Sequence, residues 1–282
     1  MTDALVTTAW VAQHAADPGL RIFEVSQEPA SYASGHIEGA LAIDWKADLI
    51  ERADESSGKV IDAGRFVTLA RKLAIQPDDT LVFYGDQGGR HATRAFWTFE
   101  YYRHPGKLHW VDGGREVWQR EGRPLTTAVP NMATSSYPDP PAPDYSIRAT
   151  LTDLVAGLDN ADLTVIDTRS PDEYAGSDIR SARGGRIPGA QNVFWKSSLA
   201  ESTALLPRAQ LQQLYAAATA TPDSEVTGGA TVVAYCQLGV RAAHTWFILR
   251  HVLDHPDAKN YDGSWEEWGN LPDTPIEHET VP

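Results

Sequence analysis

The sequence predicts an α/β protein of two domains, each a mainly parallel sheet with helices on both faces. Three observations carry this reading. First, the chain repeats itself at a spacing of 150 residues. "HIEGALAIDWK" at 36–46 aligns with "RIPGAQNVFWK" at 186–196, "LVFYGDQGGRHATRAFW" at 81–97 with "TVVAYCQLGVRAAHTWF" at 231–247, and "VDGGREVW" at 111–118 with "YDGSWEEW" at 261–268. Three blocks in one register mark a duplication, and so long a period means two whole domains. Second, short β-prone runs alternate with helix-like stretches, the pattern of parallel strands joined by crossover helices. Third, "TTAVPNMATSSYPDPPAPDY" at 126–145 carries five prolines and no period, as an extended linker does. The domains are read as 1–125 and 146–282.

The elements of the second copy follow in order. "LTVIDTRS" at 163–170 is a short buried strand, and "PDEYAG" opens a helix with acids in its first turn. "AQNVFW" is a further strand, "PRAQLQQLYAAAT" an amphipathic helix and "ATVVAYC" a central strand. "RAAHTWFILRHVL" is a helix, and "KNYDGSWEEW" a last strand, turn and helix. In a parallel sheet the functional crevice lies beyond the carboxyl ends of the strands. Cys236 falls there.

Composition narrows the function. With 42% hydrophobic and 22% charged residues the chain reads as a soluble globular protein. No apolar run approaches the ~20 residues of a membrane span, and the N-terminus lacks a signal-peptide pattern. The formal charge of −14, from 38 acids and 24 bases, disfavours nucleic acid and anionic membranes as partners. One cysteine excludes an intrachain disulfide and a thiolate zinc cluster, and points to a reducing, cytoplasmic setting. Nine histidines are scattered without ligand spacing, so no metal site is expected. The nine tryptophans include Trp110, Trp118, Trp265 and Trp268 around the repeated "DG" turns, which suits core packing.

A lone cysteine is most often an inert core residue. The setting of Cys236 argues otherwise. It ends a strand and begins the turn "CQLGVR", whose glycine permits unusual backbone angles, and a helix starts near Arg241. Consecutive N–H groups in such a turn converge on one point and add the positive end of the helix, so a thiol there is expected as thiolate. Asp86 stands opposite Cys236 in the ungapped repeat, which makes the first copy silent in thiol chemistry.

These motifs resemble a tandem-domain rhodanese, a sulfurtransferase of the thiosulfate and 3-mercaptopyruvate group. The resemblance rests on "DTRSPDEY", "RIPGA", "YCQLGVR" and "NYDGSWEEWGN", with the degenerate "GHIEGA" and "VDGG" of the first copy. It implies two rhodanese-like domains, the first inactive and the second catalytic. It also implies that Cys236 is the nucleophile and persulfide carrier, cradled by Gln237, Leu238, Gly239, Val240 and Arg241. The implied reaction moves sulfur from a small anionic donor to cyanide or a thiol, without metal or organic cofactor.

An anionic donor needs local bases, and residues 169–186 hold Arg169, Arg180, Arg183 and Arg186. Arg169 is read as a structural partner of Asp172 or Glu173. From Glu24 to Gly39, compared with Asp167 to Gly189, the second copy is seven residues longer, and Arg180 and Arg183 lie in that insertion. They are the expected anion clamps. Arg186, where the family more often has histidine, is a third substrate-binding candidate. His244 reads as structural, and Trp195 as a possible pocket wall.

Rival readings are a cysteine phosphatase, disfavoured because its loop is C-x5-R while this one is C-x4-R, and a non-catalytic sulfur-carrier or binding module. Between donors, the charge of Arg241 beside the thiol favours thiosulfate, with 3-mercaptopyruvate as the alternative.

Overall fold

The structure is a computed structural model that describes residues 3–51, 58–132, 134–219 and 231–278. The chain divides into two compact units. The first takes in Met1–Ile50, Val60–Asp144 and Leu199–Leu205, and the second Glu51–Lys59, Tyr145–Ser198 and Leu206–Pro282.

In the first unit the strands β1 (Leu5–Val6), β2 (Leu20–Glu24), β3 (Leu41–Ala42), β4 (Thr80–Tyr84) and β5 (Leu108–Val111) form one sheet in the order β1-β5-β4-β2-β3. In the second, β6 (Arg148–Ala149), β7 (Leu163–Asp167), β8 (Gln191–Asn192), β9 (Thr231–Tyr235) and β10 (Ala258–Tyr261) repeat that order as β6-β10-β9-β7-β8. All the pairings among these ten strands are parallel. The central strands β4 and β9 bury four consecutive residues each, Leu81–Tyr84 and Val232–Tyr235. Consecutive side chains point to opposite faces, so both faces of the sheet are covered there.

Each unit ties its central strand to the neighbouring one by a buried carboxylate. Glu24 accepts the Tyr84 hydroxyl at 2.5 Å, and Asp167 accepts that of Tyr235 at 2.5 Å. Burial, then the adjacent carboxylate, raises both phenols above their ordinary range, so they act as donors. The neutralising arginine differs. Arg115 reaches Glu24 at 2.9 Å from the helix Gly114–Arg120, whereas Arg169 grips Asp167 at 2.6 Å and lies 4.3 Å over the Trp265 ring. Trp265 occupies the position of Arg115, so an arginine in one copy is replaced by a stacking surface for another arginine. Arg169 is structural, but its partner is Asp167 rather than Asp172 or Glu173.

Two expectations change. "AQNVFW" is strand only at Gln191–Asn192 and turns into a 3-10 helix at Trp195–Ser198. The helix at 241–253 is α-helical over Val240–Phe247 and becomes a π-helix at Ile248–Val252. The proline-rich stretch packs on the first unit. Its Tyr137 is buried against Phe66, and the Tyr137 carbonyl accepts Arg71 Nε at 2.8 Å, so residues up to Asp144 belong to the first unit. Among the described residues, no helix is long and apolar enough to cross a membrane.

Candidate active site

Cys236 follows the last residue of β9, the middle strand of the second sheet. Its side chain is buried against Ala234 and Ala242. The chain then turns through Gly239 at φ +69, a left-handed conformation open to glycine without steric cost, into the helix Val240–Phe247. The first intrahelical bond runs from the Ala243 N–H to the Gly239 carbonyl at 3.3 Å. The N–H groups of Val240, Arg241 and Ala242 therefore precede the helical ladder, at the positive end of the helix. From β10, the buried Asn260 donates to the Gly239 carbonyl at 3.2 Å and fixes the turn from behind.

A second clamp comes from the segment after β10. The Trp265 N–H donates to the Cys236 carbonyl at 2.9 Å and the Glu266 N–H to the Gln237 carbonyl at 3.0 Å. The Gln237 side chain donates to Glu266 Oε2 at 2.7 Å and to Ser181 Oγ at 3.0 Å. Gly58 also lies against this loop: a Cβ there would sit 2.8 Å from Leu238 Cα.

Arg241 does not point freely at a substrate. Both its terminal nitrogens bind the Glu173 carboxylate, at 2.7 and 2.8 Å. Glu173 in turn closes the capping box of the helix Pro171–Ala175, accepting the Ser170 N–H at 3.0 Å. Burial works to raise the Glu173 carboxyl, but the Arg241 hydrogen bonds and charge, the Ser170 N–H and the Arg180 charge outweigh it. They hold it down at about 2. Burial works against the Arg241 charge too, and is outweighed by Glu173 and by the proximity of Cys236 and Asp167. The guanidinium is a fixed cation beside the thiol loop.

The three arginines expected to bind substrate part company. Arg180 is half-exposed (51%), bonded to Asp178 at 2.6 Å and 3.7 Å from Glu173, and its carbonyl accepts Gln237 Nε2 at 3.4 Å. It borders the loop. Arg183 instead caps the end of the helix Ser264–Trp268, donating to the carbonyls of Trp268 (3.1 Å), Thr274 (2.9 Å), Pro272, Gly269 and Leu271. Arg186 pairs with Glu277 at 2.5 Å and lies 4.4 Å over the Tyr174 ring. Arg183 is engaged by carbonyls of the C-terminal segment, and Arg186 by the Glu277 carboxylate through one terminal nitrogen. Trp195 is buried, its ring edge-on to His244 at 5.5 Å.

Residues 7–121 and 150–271 each match the family model of the rhodanese-like domain. The chain belongs to the rhodanese-like family. Sulfur carrier protein TtuD of Thermus thermophilus is 37% identical to it, over 97% of this chain and 96% of that protein. The thiosulfate sulfurtransferase of Corynebacterium glutamicum is 34% identical, over 98% of this chain and 90% of its own length. Among solved structures, SseA from Escherichia coli, described as a 3-mercaptopyruvate sulfotransferase, superposes with a TM-score of 0.79 at 24% identity, over 93% of this chain and 98% of that one. That last likeness is one of fold.

The two rhodanese-like domains differ at the loop in a way the ungapped repeat concealed. Tyr84 and Tyr235 are equivalent by sheet pairing, to Glu24 and to Asp167. The next residue in each domain accepts an equivalent bond, Gly85 from the Arg115 N–H and Cys236 from the Trp265 N–H, both at 2.9 Å. Gly85, not Asp86, thus stands where Cys236 stands. The left-handed glycine before the helix is Gly89 in one domain and Gly239 in the other, so the first loop is one residue longer. Gly85 has no room for a side chain, since a Cβ there would lie 2.3 Å from the Val25 carbonyl oxygen. Asp86 turns its carboxylate to the Gln27 N–H at 2.7 Å.

Proposed function

We propose that the protein is a thiosulfate sulfurtransferase whose second rhodanese-like domain carries the chemistry and whose first is silent. The observation that carries this reading is the seat of Cys236, at the carboxyl end of the central strand and facing the start of the helix Val240–Phe247. The 34% identity to a named thiosulfate sulfurtransferase, over nearly the whole chain, supports the same reaction.

The Cys236 thiolate attacks the outer sulfur of thiosulfate. A new S–S bond forms, the S–S bond of the donor breaks, and sulfite leaves with its electron pair. The persulfide then sits within the loop Gln237–Arg241, whose N–H groups and helix dipole favour a terminal sulfur anion. A nucleophile such as cyanide or a thiol takes that sulfur, and the Cys236 thiolate is returned. Arg241, held by Glu173, supplies a fixed positive field beside the loop. Arg180, half-exposed beside the loop, is the arginine of the insertion that meets the anionic donor in this reading. A reducing compartment such as the cytoplasm suits a chain whose single cysteine must cycle as a free thiol.

The 37% identity to a protein named as a sulfur carrier favours a second reading, in which the same Cys236 persulfide is handed to another protein. 3-Mercaptopyruvate is the alternative donor. A phosphatase is disfavoured, since the loop has four residues between Cys236 and Arg241 rather than five. The test is intact mass after incubation with thiosulfate. One added sulfur atom, removed by cyanide and absent in Cys236→Ser, is expected; an unchanged mass would count against the reading.

A further inference from the structure

Ser264 carries an unusual combination of features. Its φ is +54, in the left-handed region that favours glycine, and it is completely buried. Its hydroxyl accepts the Cys236 N–H at 3.0 Å and donates to the Tyr261 carbonyl at 2.7 Å. The hydroxyl proton is thus committed to Tyr261, which leaves the oxygen facing Cys236 as an acceptor.

The first domain supplies the control. Gly114 holds the same place with the same backbone, at φ +47, and a Cβ there would lie 2.2 Å from the Gly85 carbonyl oxygen. A glycine meets the conformational demand of this turn without strain. The second domain instead places a side chain there, against backbone preference, and that side chain has one task visible in the structure beyond its own turn. It binds the amide of the cysteine.

We infer that Ser264 is a positioning residue for the Cys236 thiol, an assignment that rests on Cys236 being the nucleophile. With the Trp265 N–H on the Cys236 carbonyl, the serine fixes both peptide groups of the cysteine, so its Cα–Cβ bond has one direction. By taking the Cys236 N–H away from the loop, it leaves the amides that follow to face the thiol. Backbone strain is kept at a functional position because the surrounding contacts outweigh it.

Ser264→Gly separates this role from a purely structural one, because glycine relieves the backbone while it removes the hydroxyl, and with it the acceptor for the Cys236 N–H and the donor to the Tyr261 carbonyl. The expected result is a folded variant whose melting temperature lies above that of Ser264→Ala, since glycine alone relieves the backbone. Thiosulfate:cyanide kcat should fall about tenfold, with KM within about twofold. Ser264→Ala keeps the strain and loses the acceptor, so it should be both slower and less stable. A Ser264→Gly variant with kcat within about twofold of wild type would overturn the assignment, as would a loss of activity that only follows a loss of fold. Alkylation of Cys236, the one thiol in the chain, by iodoacetamide reads thiol placement without sulfur transfer. Should the wild type transfer no sulfur, the sulfurtransferase reading fails alone. The serine is then judged by alkylation, where a change of about threefold or more in the folded glycine variant supports it and equal rates refute it.

Discussion

Arg241 and Glu173 share a two-pronged ion pair, at 2.7 and 2.8 Å, that joins the thiol loop to the helix Pro171–Ala175. Only 2% of the Glu173 side chain and 14% of that of Arg241 is exposed. Removing one partner of a buried pair strands the other charge, which costs about 3–5 kcal/mol. Glu173→Gln should therefore destabilise the protein by about that much in urea unfolding. Sulfur transfer should fall in the fraction that remains folded. A variant with unchanged midpoint would mean that Arg241 finds another counter-charge.

The same carboxylate gives stability a pH dependence of known sign. Its folded value, about 2, lies below the ordinary 4.5, so its contribution is complete above the unfolded value and is lost as pH falls toward 2. Unfolding midpoints should decline from about pH 5 downward. Glu173→Gln should show a shallower decline over the same window, and equal slopes would remove Glu173 from the account.

Arg180 and Arg183 are neighbours in sequence with opposite expected effects. Arg183 holds the carbonyls after the helix Ser264–Trp268, so Arg183→Ala should cost about 2 kcal/mol or more of stability. Arg180 is half-exposed beside the loop, so Arg180→Ala should raise the thiosulfate KM about fivefold, roughly 1 kcal/mol, with little change in stability. Steady-state kinetics beside thermal melts separates the two. An unchanged KM in Arg180→Ala would leave donor binding to the loop alone.

The first domain should stay silent even when given a thiol. Asp86→Cys, made in Cys236→Ser, places sulfur one residue beyond the position of Cys236, where the side chain turns to the Gln27 N–H. No thiocyanate is expected. Turnover by this double variant would show that the longer loop still makes a cradle.

Much of this was legible in the sequence. The duplication, the parallel sheets and the seat of Cys236 followed from repeat register and from apolar runs such as "TVVAY" that meet a glycine turn. The arginine partners were not, because they are set where the chain returns: Arg183 meets carbonyls of residues 268–274, and Arg186 meets Glu277. The extra residue of the first loop was hidden by its paired glycines, which let "GDQGGR" align with "YCQLGV" without a gap. Ser264 carried a faint signal. A serine opposite Gly114 at a turn is a mismatch that marks a backbone constraint, but only the φ angle and the bond to Cys236 give it meaning.

The most direct test of the central claim is thiocyanate formation from thiosulfate and cyanide by wild type and by Cys236→Ser, with 3-mercaptopyruvate run beside it. The account predicts turnover by the wild type, none by the serine variant, and a preference for thiosulfate. Thiocyanate from the serine variant, or none from folded wild type with either donor, would contradict it.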